Sequence, residues 1–248
     1  MSSPAGTTPS VRIISIGTLA RHPMWNEAVP VRTGHATCTL IRAGKAVIIV
    51  DPGLPTEAIA ARLHERSGVR PSEVTHVFLT SFQPDTARGL GAFERAQWLI
   101  STIEREAVGI PLIGRLKHAD SNGETAVREE MARQIKLLHR CEAAEAALSG
   151  DSLAPGVDLF PLPGMTPGLC GLIIDSGELT TLICGDAVAT MEHYTERKVL
   201  PLPYNLEQAK ASFGEAVQIA DLIVPGRDNL LVNDMDVGPS AEDFEKSA

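Results

Sequence analysis

The sequence contains few cysteines and aromatic residues, and it has no long apolar run. Its 248 residues include four cysteines, none of them in a C-x-x-C pair, and only 4% are aromatic. So few cysteines exclude a disulfide framework. No apolar stretch approaches the ~20 residues that cross a bilayer, and the opening MSSPAGTTPS lacks the basic and apolar regions of a signal peptide. We therefore expect a cytoplasmic protein with reduced thiols and no membrane partner.

Basic residues are outnumbered by acidic ones. The chain has 22 Lys and Arg against 31 Asp and Glu, a formal net charge of −9, which argues against nucleic acid as a partner. With 44% hydrophobic and 21% charged residues, the composition is typical of a globular protein with a sizeable core. Residues 1–10 and 233–248 have the composition of tails, so we predict one domain over residues 11–232.

Strand patterns occur in two groups, and helical patterns accompany each group. Apolar runs predict strands over residues 11–17, 38–44, 45–53, 74–80, 157–164, 169–175, 179–187 and 221–226. Apolar spacing predicts helices over residues 55–68, 91–108, 124–148 and 206–220. Two sheet-rich halves with helices outside them predict an α/β fold of the four-layered αββα sandwich type. A doubly wound sheet fits less well, because hairpins join neighbouring antiparallel strands in both halves.

Four loops that follow predicted strands carry the candidate chemistry. They read VDPGLP (50–55), TSFQPDTARGL (80–90), PLPGMTPG (161–168) with CGDAV (184–188), and VPGRDN (224–229). In order and spacing these strings resemble the metallo-β-lactamase-fold hydrolase superfamily over roughly residues 11–230. The resemblance implies the αββα sandwich and two zinc ions, which five histidines and two aspartates hold. It also implies a zinc-bound hydroxide that attacks an ester, thioester, amide or phosphodiester.

The sequence keeps both aspartates of that pattern and lacks all five histidines. The retained positions are Asp85 and Asp186. The histidine positions carry Ser81, Gln83, Thr86, Met165 and Arg227. Since zinc prefers nitrogen and sulfur ligands, we expect no zinc. Any bound metal would be a weakly held Mg²⁺, Mn²⁺ or Ca²⁺ on Asp85 and Asp186.

Arg227 is predicted to replace the missing positive charge. Two carboxylates ~4 Å apart repel each other by ~4 kcal/mol at an effective dielectric constant near 20. A guanidinium between Asp85 and Asp186 would supply the compensating charge and a fork of donors. Met165 and Thr86 are then expected to fill the space of a metal. The resemblance makes Asp51 the acid that braces the metal loop from behind, although a turn-initiating aspartate explains it equally well.

The remaining candidate residues give little support to other chemistry. No spacing supports a catalytic triad of Ser81 with His35 or His76, so the catalytic residues are unknown. We predict that His22, His35 and His193 are exposed or capped loop residues. The apolar stripe of Met131, Ile135 and Leu138 either serves a homodimer or covers the sheet.

Three functions follow from these residues. The first is a degenerate, metal-free relative of the hydrolases, a pseudoenzyme with a binding cavity for a small molecule or a protein. The second is a hydrolase of small esters or thioesters that uses one weakly held cation. The third is a nucleic-acid-processing enzyme, against which the charge of −9 argues.

Overall fold

Two six-stranded sheets form the centre of the fold. The computed structural model describes residues 8–148 and 152–234. In spatial order, the first sheet contains β1 (Ser10–Ser15), β2 (Cys38–Ala43), β3 (Ala46–Val50), β4 (His76–Leu79), β5 (Gln97–Ile100) and β6 (Glu142–Ala143). The second contains β7 (Ser152–Ala154), β8 (Val157–Pro161), β9 (Cys170–Asp175), β10 (Thr180–Gly185), β11 (Leu222–Pro225) and β12 (Leu231–Val232). In both sheets the spatial order of the strands equals their order in the chain.

The helices of the described residues lie in two outer layers and in the site loops. They are α1 (Thr56–Ser67), α2 (Pro84–Ala87), α3 (Thr102–Asn122), α4 (Thr125–Arg140), α5 (Met191–Thr195) and α6 (Leu206–Ile219). Helix α1 ends, as predicted, where Gly68 adopts a φ of +70°, a conformation that glycine adopts without a steric cost. None of the described helices is both long and apolar enough to cross a membrane.

The alternation of side chains along the strands builds three apolar clusters. In β4, Val77 and Leu79 face the cluster under α1, α3 and α4, whereas Phe78 faces the second sheet. In β10, Ile183 faces the first sheet, whereas Leu182 faces the cluster under α6. Successive strand residues point to opposite faces, so each sheet is buried on both sides. This arrangement confirms the predicted αββα sandwich.

Each sheet mixes parallel and antiparallel pairs. Strands β1, β2 and β3 pair antiparallel, and β3 to β6 pair parallel. In the second sheet only β10 and β11 pair parallel. The antiparallel pairs of consecutive strands, such as β2 with β3 and β9 with β10, exclude the doubly wound alternative. The carboxyl ends of β3 and β4 therefore meet at one edge, as those of β10 and β11 do, and the loops with the candidate chemistry leave from these edges.

The predicted helix over residues 91–108 is wrong. A 3-10 turn (Leu90–Phe93) comes first, strand β5 follows, and α3 begins only at Thr102. Strand β5 is buried on both faces between two parallel neighbours, so Trp98, Leu99 and Ile100 form a continuous apolar run. A run this short has no period that separates strand from helix.

The helical region predicted over residues 124–148 is shorter in the structure. Helix α4 ends at Arg140, and β6 with a 3-10 turn (Ala144–Ala147) follows. The buried Met131 and Leu138 and the half-buried Ile135 pack into the cluster beneath the outer helices. The stripe therefore covers the sheet and does not itself indicate a dimer interface.

The chain is folded slightly beyond the predicted boundaries at residues 11 and 232. Ser10 pairs with Arg42 in the first sheet, and the Asn233 amide donates to the carbonyl oxygens of Val217 and Ala220 at 2.6 Å. The rest of the two predicted tails, residues 1–7 and 235–248, lies outside the described residues.

All four cysteines are buried and free of disulfide bonds. Burial raises the pKa of the thiols of Cys141, Cys170 and Cys184 to about 12. Thiols with so high a pKa are protonated and unreactive at neutral pH, so these cysteines serve as buried packing residues.

Candidate functional site

The candidate loops meet at one end of the sandwich and are held together by their backbones. The amide of Ala36 donates to the carbonyl of Asp85 at 2.9 Å, and the amide of Thr37 donates to the carbonyl of Gly226 at 2.8 Å. A Cβ atom on Gly226 would lie 2.6 Å from Asp186 Oδ1. Only glycine permits this close approach, and the next residue, Arg227, therefore lies directly beside the Asp186 carboxylate.

Asp85, Arg227 and Asp186 form a buried ion triad. Arg227 Nε donates to Asp186 Oδ1 and Nη2 donates to Asp186 Oδ2, each at 2.8 Å. Arg227 Nη1 donates to Asp85 Oδ2. The Arg227 side chain is 3% exposed, so this is a bidentate pair with a second carboxylate on the remaining fork. The contact predicted between these three side chains is present.

The triad holds the arginine in its charged form. Burial alone would lower the pKa of the Arg227 guanidinium, but the carboxylates of Asp186 and Asp85 hold it above its ordinary value. Two formal negative charges against one positive charge leave the triad at −1. One carboxylate oxygen, Asp85 Oδ1, is buried without a hydrogen-bond partner among the described residues. The triad thus satisfies three of its four carboxylate oxygens internally.

Asp51 lies behind the second loop, where the resemblance places a bracing acid. Its Oδ1 accepts from the amide of Thr80 at 2.9 Å, and its Oδ2 accepts from Thr80 Oγ1 at 2.7 Å. The residue is buried and has a φ of +48°, which aspartate and asparagine tolerate better than most residues. Burial raises the pKa of the Asp51 carboxyl to about 7, although the bonds from Thr80 lower it. Asp51 therefore positions the residue that precedes Ser81.

Replacing Asp51 by asparagine is expected to stabilise the protein increasingly as the pH rises from about 4 to 7. The folded state keeps the Asp51 proton up to about pH 7, whereas an unfolded aspartate loses it near pH 3.9. Stability from this group is therefore present at low pH and is lost as the pH rises through 7. Asparagine does not titrate, so its advantage over wild type should grow by on the order of 2–4 kcal/mol. Urea unfolding at several pH values measures it.

The matched control for this prediction is Asp51→Ala. Alanine does not titrate either, so it should share the pH dependence of asparagine. It leaves the amide and the hydroxyl of Thr80 without their acceptors, however, and should therefore be less stable than Asp51→Asn at every pH. A free-energy difference between wild type and Asp51→Asn that does not change with pH would contradict the raised pKa.

The residues at the other replaced positions are engaged with their own loops. Thr86 Oγ1 donates to the carbonyl of Ser81 at 2.8 Å and accepts from the amide of Gln83 at 3.1 Å, which caps α2. Ser81 is buried, and Gln83 lines a small cavity beside α2. Met165 packs half-buried against the cluster under α6. That Thr86 and Met165 fill a metal's space stays a prediction.

Glu104 is a functional-site residue that the sequence analysis missed. It lies in the first turn of α3 and is fully buried. Its Oε1 accepts from the amide of Phe82 at 3.1 Å, and its Oε2 accepts from Thr166 Oγ1 at 2.7 Å and from the amide of Gly168 at 3.1 Å. One carboxylate thus joins the 80–90 loop to the 161–168 loop. Its sequence signal, a glutamate three residues after the N-cap Ser101, is common to many helices.

Two of the histidines that were expected to be exposed or capped are in fact buried. His22 and His193 are 2% and 1% exposed. Thr190 Oγ1 lies 2.9 Å from His193 Nδ1 and 3.3 Å from His22 Nε2, and His22 stacks on Trp25 with ring centroids 4.1 Å apart. Burial lowers the pKa of His193 to about 4. This ring is therefore neutral at pH 7 and belongs to the packing beside the triad.

The other histidines considered do not assemble a triad with Ser81. The half-buried His35 has its Nε2 3.1 Å from the carbonyl oxygen of Ile16, and His76 Nδ1 lies 2.8 Å from Thr75 Oγ1. Neither ring is bonded to Ser81 within residues 8–148 and 152–234. The arrangement therefore lacks a base for a serine nucleophile.

The donor set at the triad does not fit a pair of zinc ions. Zinc sites in proteins use imidazole, thiolate and carboxylate ligands. Here the two carboxylates share one guanidinium, and the neighbouring positions offer a serine, an amide, a threonine and a thioether. No group of three His, Cys, Asp or Glu side chains suited to a metal occurs in the described part of the chain.

Comparison with known proteins identifies relatives of both sequence and fold. The family model described as the metallo-beta-lactamase superfamily matches residues 31–227. Two proteins named probable metallo-hydrolase, from Mycobacterium bovis and Mycobacterium tuberculosis, are each 32% identical over 154 residues, which cover 59% of this chain and 47% of theirs. The chain thus spans about half the length of the curated relatives it matches.

Solved structures share the fold at low sequence identity. A probable metal-dependent hydrolase from Staphylococcus aureus is 14% identical, with a TM-score of 0.64 over 94% of this chain and 96% of its own. An AiiA variant from B. thuringiensis, with N-decanoyl-L-homoserine at its active site, is 23% identical. Its TM-score is 0.61 over 89% of this chain and 92% of its own. At these identities the structures establish the architecture alone.

Proposed function

This chain belongs to the metallo-beta-lactamase superfamily, and on that premise we propose that it is a metal-free member that binds a ligand instead of hydrolysing one. The observation that carries the proposal is the Arg227 guanidinium, which holds both oxygens of Asp186 and one oxygen of Asp85. The pattern that the superfamily shares has a histidine in its place and two zinc ions beside it. The arginine is the internal substitute for that metal charge.

Electrostatic repulsion prevents Arg227 and a divalent metal ion from occupying the site together. The guanidinium stays charged at any physiological pH. A divalent cation ~4 Å from it would be repelled by ~8 kcal/mol at an effective dielectric constant near 20. The same cation would also have to compete with Arg227 for the Asp186 oxygens, which are already hydrogen-bonded at 2.8 Å. The proposed consequence is that zinc-activated hydroxide, and the hydrolysis that depends on it, are absent.

A hydrolase with one weakly held cation is the second candidate. It is favoured by one observation, the buried and unpartnered Asp85 Oδ1, and the mycobacterial relatives are named for hydrolase chemistry. Mg²⁺ and Ca²⁺ take six or more oxygen ligands, several of which the protein supplies in tight sites. A single open carboxylate oxygen beside a guanidinium supports at most weak binding of Mg²⁺, Mn²⁺ or Ca²⁺.

Metal analysis after loading tests the proposal. The purified protein, prepared without chelator, is incubated with Zn²⁺ or Mn²⁺, desalted and assayed for metal by mass spectrometry. We expect less than about 0.1 metal per chain, since the triad offers neither imidazole nor thiolate and its two carboxylates are already bonded to Arg227. Hydrolysis of thioester and phosphodiester substrates should stay at the buffer rate with either metal present.

The matched control restores the five histidines of the superfamily pattern at the positions of Ser81, Gln83, Thr86, Met165 and Arg227. A variant of this kind that retains zinc would show that these five residues cause the loss in the wild type. Retention of about one equivalent of a divalent ion by the wild type would overturn the proposal, and hydrolysis would become the leading function.

A further inference from the structure

A groove on the outer helical face lies apart from the ion triad. It runs between the segment from α2 to the following 3-10 turn and helix α4, and its volume is about 640 Å³. Ligand sites for small molecules typically occupy ~300–1,000 Å³. The buried Leu90 and Trp98 and the half-buried Leu137 line it with apolar surface. The groove thus has the size and the apolar floor that a small organic molecule requires.

The rim of this groove is basic in a chain whose net charge is −9. Four cationic side chains line it against one carboxylate, that of Glu94. The cations are Arg88, Arg133, Lys136 and Arg140. The last three follow one another at helical spacings of three and four along α4, which places them on one face. Like charges at such spacings repel one another along a helix, so an anion bound there would reduce this repulsion.

Two of the four cations have no hydrogen-bond or ion-pair partner for their side chains among residues 8–148 and 152–234. Arg133 pairs with Glu130 at 2.8 Å, and the Arg140 guanidinium lies 3.8 Å from the ring centroid of Trp98. The half-buried Arg88 and the exposed Lys136 have no side-chain hydrogen bond or ion pair within the described residues. Desolvation makes an unpaired charge costly, so an anion in the groove would compensate the half-buried Arg88 guanidinium.

We propose that this groove binds an amphipathic organic anion. Its phosphate or carboxylate head group contacts Arg88 and Lys136, and its apolar body packs on the half-buried Leu137, above the buried Leu90 and Trp98 and beside the Arg140 guanidinium that covers the Trp98 ring. A guanidinium suits both kinds of head group, because its planar fork matches either one. The apolar floor excludes a bare inorganic anion as the best ligand, and the basic rim excludes a neutral one. None of the three triad residues lines the groove, so this proposal does not depend on whether the protein binds a metal.

Titration calorimetry with four probes tests this site. Hexyl phosphate and hexanoate carry the two head groups on the same apolar body, inorganic phosphate lacks the body, and hexanol lacks the charge. We expect saturable binding of hexyl phosphate or hexanoate at least about tenfold tighter than binding of inorganic phosphate or hexanol. The stronger of the two organic anions identifies the head group.

Charge-neutral variants locate the binding. Arg88→Gln and Lys136→Gln should each weaken the better organic anion by about tenfold, because each removes one charge-assisted contact. Arg115→Gln and Lys117→Gln on α3 remove the same charges from an exposed surface and should leave the affinity unchanged. Thermal melting confirms that all four variants are folded.

Three results would overturn the proposal. They are no saturable binding of either organic anion at millimolar concentration, equal loss of affinity in the α3 control variants, and equal affinity for inorganic phosphate. Tighter binding of a short oligothymidylate, lost in high salt and sensitive to the same two variants, would assign the groove to nucleic acid instead and would also overturn it.

Discussion

Replacing Arg227 by alanine is expected to lower the free energy of unfolding by about 3–5 kcal/mol, because it leaves the buried Asp186 carboxylate and the partly exposed Asp85 carboxylate without their counterion. Asp186 loses both of its hydrogen bonds to the guanidinium, and Asp85 loses its bond to Nη1. The carboxylates then repel each other in a site from which water is largely excluded. Urea unfolding followed by circular dichroism at neutral pH measures the loss.

Two further variants separate the triad from general destabilisation. Arg62 pairs with Glu65 on the exposed face of α1, and Arg62→Ala should cost less than about 0.5 kcal/mol, as exposed pairs do. Adding Asp186→Asn to Arg227→Ala should recover part of the loss, because it removes one of the stranded charges. A loss below about 0.5 kcal/mol for Arg227→Ala would contradict a buried ion triad.

The same variant also tests whether the arginine stands in for a metal. With Arg227 removed, a divalent cation is the remaining source of positive charge between Asp85 and Asp186. Mg²⁺ or Mn²⁺ should therefore raise the melting temperature of Arg227→Ala and leave that of the wild type unchanged, since a ligand stabilises only the state that binds it. Equal shifts in both proteins would show that the cation binds elsewhere.

The sequence was informative where chemistry is tied to short motifs. The DPG, GD and PG strings follow strands, and the resemblance that they carry predicts that Asp51, Asp85, Asp186 and Arg227 lie on neighbouring loops. The contact of Arg227 with both aspartates followed from the resemblance, which implies that the three residues share one cavity, together with the need of two like charges in one site for a counterion. The β-branched runs and hairpin turns likewise predicted the two sheets, since strand alternation is a local property.

The predictions that were wrong have a common physical cause. The sequence predicts a helix at strand β5 because its three buried residues carry no period, and the parallel neighbours that decide its conformation lie distant in sequence. His22 is buried because Thr190 and Trp25 pack against it, and the contact with Thr190 joins residues 168 positions apart. Long-range contacts of this kind leave no local pattern in a single sequence.

Glu104 is the clearest case of such a contact, and its replacement by alanine should lower the free energy of unfolding by about 3–5 kcal/mol. The change leaves three buried donors without an acceptor: the amides of Phe82 and Gly168 and the hydroxyl of Thr166. An unsatisfied buried donor costs ~1–3 kcal/mol, and bonds to a charged acceptor are the stronger ones. Urea unfolding gives the loss.

The controls for this prediction lie in the same helix and in the same network. Glu106 lies two residues beyond Glu104 on α3, and its side chain is exposed. Glu106→Ala should therefore change stability by less than about 0.5 kcal/mol. Thr166→Val removes only one of the three bonds and should cost about 1 kcal/mol. Amide hydrogen exchange at Phe82 and Gly168 should accelerate in Glu104→Ala, because both amides lose their acceptor. A loss below about 1 kcal/mol with unchanged exchange would mean that the two loops are held by their backbones alone.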